Sequence, residues 1–404
     1  MSVSQALRQA TGEDAIDGVV PRHVALPESA EELAQILADA SRDRQSTVLR
    51  GSGSKLGWGR VPGHVDVVIG TEKLNRLIAH RYGDMTVTAQ AGMPLAELNR
   101  QLADHRQYLP IESAFDRATI GGIVASNDAG PMRHRFGTPR DLLIGVTLAM
   151  TDGRLVKAGG TVVKNVAGYD LGKLVSGSHG TLAAIVDATF KLLPIPLAST
   201  TLVATYADGH ALAHDITALT GSQVELAALD MCVSSEGRWI LLMRMASSPA
   251  ATAAQAAEAR RLLSSAPAAV SGDEERSLWA EQIRAPWEEG GTVVRLSWLP
   301  SKFPAVVALL SRLRQHGCRV TTFTGRAIGS GLIRLEGEES AIAAGILLLR
   351  ESNDVGHVVV LRATPGVKAR VDVWGPPSDT IEVARMLKRM FDPADILNAG
   401  RGPI

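Results

Sequence analysis

The sequence predicts an α+β protein in two parts. A strand-rich N-terminal half is organised around glycine-rich loops, and a C-terminal half forms an antiparallel sheet backed by helices. Three observations lead there. Glycine-dense segments recur at 50–59, 118–130 and 164–185, each set between β-like runs. The run "LLPIP" ends this texture at Pro196. Beyond it, β-branched runs and amphipathic stretches alternate as β-α-β-β-α, twice over.

Composition agrees with a multi-domain globular chain. The 404 residues are 45% apolar and 21% charged with zero formal net charge, enough for a large core and two or three domains. A neutral balance gives no electrostatic ground for nucleic acid or an anionic membrane as partner. The two cysteines, Cys232 and Cys318, lie in unrelated surroundings and supply no disulfide framework, CxxC pair or iron–sulfur ligand set. Their scarcity fits a reducing compartment. The start, "MSVSQALRQATGEDAIDG", has no basic region followed by an apolar run. The longest apolar stretch, "AIAAGILLL" (341–349), is about half of the roughly 20 residues that span a bilayer. The expectation is a cytoplasmic chain without direct membrane insertion, reaching the inner face of a membrane only through a partner.

Along the chain, "ALPESAEELAQILADASRDR" (25–44) predicts a helix. It opens on Pro and a Ser cap, carries Glu in its first turn and repeats apolar residues at helical spacing. It feeds the strand "STVLR" (46–50), and "VDVVI" (65–69) reads as the next strand. From 65 to about 195 the pattern is mostly short strands with one clear helix, "PLAELNRQLADH" (94–105), where Pro94 suits the first helical position. "GVTLAMTDGRLVKAG" (145–159) reads as a hairpin turning at Asp152-Gly153, and "AAIVDATFKLLPIP" (183–196) as the closing strand. After Pro196, "TLVATY" to "AATAAQAAEARRLLSS" and "TVVRLSWL" to "ESAIAAGILLLRES" read as two ferredoxin-like units making one sheet, with "HVVVLRA" (357–363) as a last strand. "WAEQIRAPWEEGG" (279–291) reads as a helix and loop. The C-terminal piece is a helix, an Asp-Pro break and an extended tail.

The first glycine loop, "RGSGSKLGWG" (50–59), matches neither familiar nucleotide loop. A dinucleotide fingerprint needs a third glycine where Leu56 stands, and the Walker pattern fails around Lys55. What remains is a strand running into a loop of small residues and back into a strand. Successive backbone N–H groups in such a loop form an anion-binding nest. The same composition also suits a glycine-rich turn that holds nothing. Three such loops together point to a long ligand held mainly by backbone, because missing Cβ atoms let N–H groups approach it closely.

The set "RGSGSKLG", "ATIGGIVASNDAG", "KNVAGYDLGKLVSGSHGTLAAI" and "MFDPADILNAGR" resembles the vanillyl-alcohol-oxidase (PCMH-type) FAD-binding family. The resemblance covers nearly the whole chain and is strongest from 46 to 196. Within the family the chain resembles the FAD-binding E subunits of bacterial glycolate oxidase. The resemblance implies a two-subdomain FAD-binding domain over 1–196, divided at about residue 60, a cap or substrate domain over 197–370, and a segment, 371–404, returning to the flavin. It implies that Gly51, Ser52, Gly53, Ser54 and Lys55 wrap the pyrophosphate. Thr119, Gly121, Gly122, Ser126 and Asn127 would line the flavin and its phosphates. Gly177, Gly180 and Ile185 would pass beside the isoalloxazine ring, and Asn398 would come back from the tail. Many members tether the flavin through a histidine in or near the first loop. None lies between Arg50 and Gly63, so the expectation is noncovalent FAD, with no metal site.

Members that oxidise 2-hydroxy acids alone usually carry a His-Gly-Asp-Gly-Asn run in the cap. This chain has none, and His357 in "NDVGHVVVLRA" stands near the corresponding place without the rest. Oxidising a 2-hydroxy acid needs a cation for the carboxylate and a base for the hydroxyl proton. Arg326, Arg362, Arg133 and Arg135 are candidate cations, although sheet arginines also snorkel and pair with carboxylates. Tyr169 or His134 is the candidate base, and Tyr169 equally suits a core position. Lys164, Asn165 and Asp170 are polar neighbours in the same loop. The catalytic expectation is Arg326, Arg362 and Tyr169. The implied function is the FAD-binding part of a glycolate dehydrogenase, beside a homologous larger flavoprotein and an iron–sulfur subunit, with electrons passing to quinone. A stand-alone FAD oxidoreductase on another hydroxy acid or alcohol stays open, as does a non-catalytic flavin-holding subunit.

Overall fold

The computed structural model describes residues 7–161, 169–234 and 236–403. The chain divides into two compact units. One comprises 1–129, 137–195 and 376–404; the other comprises 130–136 and 196–375.

The first unit holds two sheets. The smaller has the strand order Leu7–Gln9, His23–Ala25, Val67–Gly70, Thr47–Arg50, its last three strands parallel. The larger is antiparallel, in the order Leu77–Arg81, Thr86–Gln90, Ala184–Lys191, Leu143–Ala149, Leu155–Gly159. The helix Ala30–Arg42 lies between them. Its start is set by Ser29, which accepts from the Glu32 N–H at 3.0 Å. Its buried stripe, Leu33, Ala34, Ile36, Leu37 and Ala40, meets Val67 and Ile69 of one sheet and Ala149, Ala184 and Val186 of the other. Each fully buried leucine there contributes about 2 kcal/mol of apolar transfer.

Three local expectations change. Pro94 is the N-cap, extended at ψ 137°, and the helix is Leu95–Leu102. The hairpin after Ala149 turns through Met150–Gly153, closed by the Gly153 N–H on the Met150 carbonyl. Thr151 and Asp152 are therefore central, and Gly153 takes the left-handed φ of +85°. The segment 118–130, expected as a loop, contains the helix Ile120–Ser126. Short helices at Pro139–Leu142 and Leu171–Val175 add to the one helix expected between residues 65 and about 195.

The second unit is built on one eight-stranded antiparallel sheet: Ala268–Val270, Ala198–Tyr206, Trp239–Ser247, Ala228–Val233, Arg319–Arg326, Ser330–Glu336, Thr292–Ser297, His357–Arg362. The helices Gly209–Thr220, Phe303–Leu313 and Glu339–Glu351 cover one face through Leu212, Ile216, Val306, Leu310, Ile342 and Ile346. Trp279, from the helix Gly272–Arg284, packs on Ala228 and Leu242 of the opposite face. Among the described residues, no helix is long and apolar enough to cross a membrane.

Candidate functional site

Within the first unit the three glycine segments converge on one cleft. The first segment contributes Leu49, Arg50 and Gly51, the second Gly121, Gly122 and Ala125, and the third His179, Gly180, Ala183, Ala184 and Ile185. Thr71 and Ala91 complete the wall. Eight of these thirteen residues are Gly or Ala, so main chain forms most of the surface.

The first loop leaves the strand Thr47–Arg50 and folds onto the second segment. A Cβ on Gly51 would lie 2.1 Å from the Thr119 hydroxyl, so only glycine permits this approach. Arg50 is held by Asp14, its guanidinium 2.9 Å from the carboxylate. Asp14 is 4% exposed and takes two further bonds of 2.7 Å from Arg8 and one from the Thr11 N–H. The Arg8 bonds above all hold the Asp14 carboxyl well below the usual carboxylate range, against the opposing effect of burial. Its stabilising contribution is therefore complete above the unfolded carboxylate pKa of about 4 and fades as pH falls further. Asp14→Asn should cost about 1.5–3 kcal/mol at neutral pH. In chemical denaturation, the gap between variant and parent should close below about pH 4. Lys55 pairs with Asp128 at 3.0 Å and lies 4.9 Å from the Phe115 ring centre. It ties the first loop to the end of the second segment.

In the second segment, Thr119 caps the helix Ile120–Ser126 by accepting from the Gly122 N–H. A Cβ on Gly121 would stand 2.7 Å from that of Ala91, which explains one of the two glycines inside the helix. A Cβ on Gly122 would touch only the Thr119 hydroxyl, at 3.2 Å, and Gly122 lines the cleft. Ser126 donates to the Gly122 carbonyl at 2.6 Å. Asn127 ends the helix at φ +48° and accepts from the Arg140 N–H.

The third loop is tied to the C-terminal tail. Asn398, at φ +48°, donates to the His179 carbonyl at 2.5 Å and sits 3.2 Å from where a Gly180 Cβ would be. Leu397 forms a parallel bridge with Thr47, so the tail extends the smaller sheet. Lys388 lies beneath, with its ammonium 3.0 Å from the Thr181 carbonyl, 2.9 Å from that of Leu397 and 2.5 Å from Asp392. Arg401, 5% exposed, donates to the carbonyls of Leu56, Trp58 and Arg60.

Of the residues expected at the cofactor, Gly51, Gly121, Gly122, Gly180 and Ile185 line the cleft. Thr119, Ser126, Asn127 and Asn398 instead shape it through caps and hydrogen bonds. Gly177, at φ +79°, donates to the Val124 carbonyl and so docks the third loop on the helix end. Ser52, Gly53, Ser54 and Lys55 continue the first loop, with the Ser52 and Ser54 hydroxyls 3.4 Å apart. Sequence reasoning missed Arg50 and His179 as lining residues. Arg50 sat within the quoted first loop, and His179 within "GSHG".

Lys164 and Asn165 lie outside the described residues. Tyr169 is 92% exposed. In the second unit, Arg326 and Arg362 share the sheet face opposite the covering helices, but each is the last residue of its strand and the two strands run antiparallel, so they stand at opposite ends of the sheet. Arg326 aligns with Ser330, Ser297 and His357, whereas Arg362 aligns with Val293 and Arg334. Arg326 and His357 are three strand spacings apart, about 14 Å. Arg362 donates to the carbonyls of Trp287, Glu288 and Gly290 and thereby holds that turn. Burial, with Arg334 nearby, lowers its pKa from the ordinary arginine value. Arg135 is paired with Glu225 at 2.7 Å, and burial pulls the His134 pKa down. Among the described residues no group of three or more His, Cys, Asp or Glu converges as a metal site.

The cleft fits a long phosphate-bearing ligand: among the described residues its wall is main chain and small side chains, with one arginine, Arg50, fixed by Asp14. Residues 21–159 match the family model described as FAD binding domain. The chain is similar to glycolate oxidase subunit GlcD of Bacillus subtilis (strain 168), 31% identical over 212 residues, covering 52% of this chain and 45% of that protein. It is 35% identical over 178 residues to glycolate oxidase subunit GlcE of Escherichia coli (strain K12), covering 43% and 49%. It is 33% identical over 171 residues to a D-lactate dehydrogenase of Archaeoglobus fulgidus, covering 42% and 38%. The matched region thus spans less than half the length of each of these relatives. A solved alkyldihydroxyacetonephosphate synthase shares the fold, with a TM-score of 0.72 at 15% identity over 94% of this chain and 77% of that one. Residues 21–159 are therefore similar to the FAD binding domain family, and this match supports FAD as the cofactor.

Proposed function

We propose that this chain is the FAD-binding E-type subunit of a glycolate dehydrogenase, at the cytoplasmic face of the membrane, working beside a larger homologous flavoprotein and an iron–sulfur subunit. The observation that carries the reading is the convergence of three glycine segments on one cleft inside a domain similar to the FAD binding family. The names of two relatives, both glycolate oxidase subunits, support glycolate as the substrate. Cys232 and Cys318 lie in unrelated stretches of the sequence and suggest no cluster ligand set, which favours electrons leaving through another chain.

When bound, FAD supplies a two-electron acceptor for the Cα–H of a 2-hydroxy acid. This chain's own residues bind and orient. The main chain of Gly51–Lys55 and Gly121–Gly122 would face the pyrophosphate, with Arg50 as the fixed positive charge. The main chain beside Gly180 and Ile185 would face the flavin. Glycolate loses two electrons and two protons to become glyoxylate. Arg326 is the proposed cation for its carboxylate. Arg362 already gives three bonds to carbonyls, and Tyr169 is the proposed base.

The same commitment of Arg362 favours a second reading, a subunit that holds flavin and relays electrons while the partner oxidises the substrate. The deciding experiment is the visible spectrum of the purified chain, followed by anaerobic glycolate and by acid precipitation. The expected result is a flavin spectrum that bleaches with glycolate and a colour that stays in the acid supernatant, as noncovalent FAD requires. A flavin that does not bleach assigns the chemistry to the partner, and a chain that takes up no flavin overturns both readings. Colour remaining with the pellet would point to His179, the one histidine among the described residues that line the cleft, as the tether.

A further inference from the structure

We propose that Arg401 is a positioning residue for the cofactor loop, shaping residues 50–60 from behind the cleft. The inference rests on the FAD reading above and extends it to a side chain that does not line the cleft. Its guanidinium is 5% exposed, and its donors meet acceptors on several sides: the carbonyls of Leu56, Trp58 at 3.1 Å and Arg60 at 3.2 Å, and the Asn398 amide oxygen at 3.4 Å. A planar fork of five N–H donors satisfies such a set without a second cation, whereas a lysine ammonium reaches fewer acceptors at once.

Those carbonyls belong to the stretch directly after Gly51–Lys55, so fixing them fixes how the first loop leaves the cleft. The clamp is reciprocal: the Arg60 guanidinium donates to the Gly402 carbonyl, and the Arg60 N–H to that of Arg401. Through Asn398 it continues to the His179 carbonyl, so the first and third loops are tied by one tail. Residues 51–59 contain four glycines and no regular element, and a loop of that composition has little local preference for one shape. Arg401 supplies that preference before the cofactor arrives, and pre-organisation of this kind appears as affinity.

The test is FAD titration of the full apo-chain, read by quenching of flavin fluorescence and by visible circular dichroism of the bound flavin. Arg401→Met and Arg401→Lys are compared with Leu229→Ala, a fully buried position in the other unit. Arg401→Met should weaken FAD by about 10- to 100-fold, roughly the worth of one charged hydrogen bond passed on to the cofactor through the loop. Arg401→Lys should lose less and show an altered dichroic band. Leu229→Ala should lower the melting temperature but keep FAD affinity within about twofold, because it shares no partners with the loop. Arg401→Met binding FAD as the parent does would overturn the proposal, as would an equal loss in Leu229→Ala. If Arg401→Met does not fold, unchanged affinity and dichroism in Arg401→Lys would overturn it. A parent that takes up no FAD fails at an earlier step and overturns the FAD reading together with this inference.

Discussion

Gly122→Trp yields a chain that folds and takes up no FAD. At this position the protein itself has room: a Cβ would meet only the Thr119 hydroxyl, at 3.2 Å, and Gly122 lines the cleft. The capping bond uses the Gly122 N–H, which any residue but proline retains. Replacing a glycine inside the helix Ile120–Ser126 gains several tenths of a kcal/mol in propensity. The indole therefore competes with the cofactor and not with the fold. FAD affinity should fall at least about 100-fold, or ~2.7 kcal/mol, by titration, with an apo melting temperature equal to or above the parent's. FAD retained at parental affinity would place the cofactor elsewhere. Neighbouring glycines are worse probes. At Gly51 and Gly121 even a methyl collides with Thr119 or Ala91, and at Gly53 the φ of +82° strains any side chain, so lost flavin there reports lost structure.

Lys388→Met is the substitution expected to cost most in stability. The ammonium and Asp392 are both buried, 9% and 1% exposed, and 2.5 Å apart. Asp392 also accepts from the N–H groups of Ile396, at 3.2 Å, and Leu397, at 2.7 Å. Removing the cation leaves a carboxylate in the core with two backbone donors, and frees the carbonyls of Thr181 and Leu397. Breaking one side of a buried pair costs about 3–5 kcal/mol, to be read by chemical denaturation. Adding Asp392→Asn should recover part of it, because the stranded charge is then gone. A loss under about 1 kcal/mol, the size of an exposed pair, would show that Lys388 is not the clasp between tail and third loop.

Legibility in the sequence followed the range of the forces involved. The helix Ala30–Arg42, its Ser29 cap and the strands on either side of the first loop were readable, because caps and apolar periodicity act within a few residues. The alternation after Pro196 was readable for the same reason, and so was the clustering of glycine. The helix Ile120–Ser126 was not, since two adjacent glycines argue against a helix. Close packing on Ala91 requires one of them, and that neighbour comes from a distant strand end. The turn at Met150–Gly153 was displaced by a residue because Gly153 serves as the left-handed position that ends the turn.

By itself, then, the sequence determined which segments could be helix, strand or close-approach loop, and that three such loops existed to surround a long ligand. Steric freedom at glycine and hydrophobic period are properties of the local chain. Tertiary structure alone decided which residues meet at the cleft, among them Arg50 and His179, and which hold it from behind. Arg401 reaches carbonyls more than 340 positions away, and Lys388 one 207 away. No local pattern announces such bonds, because any exposed-looking arginine or lysine can make them once the fold brings unpaired carbonyls within reach and removes the water that would otherwise satisfy them.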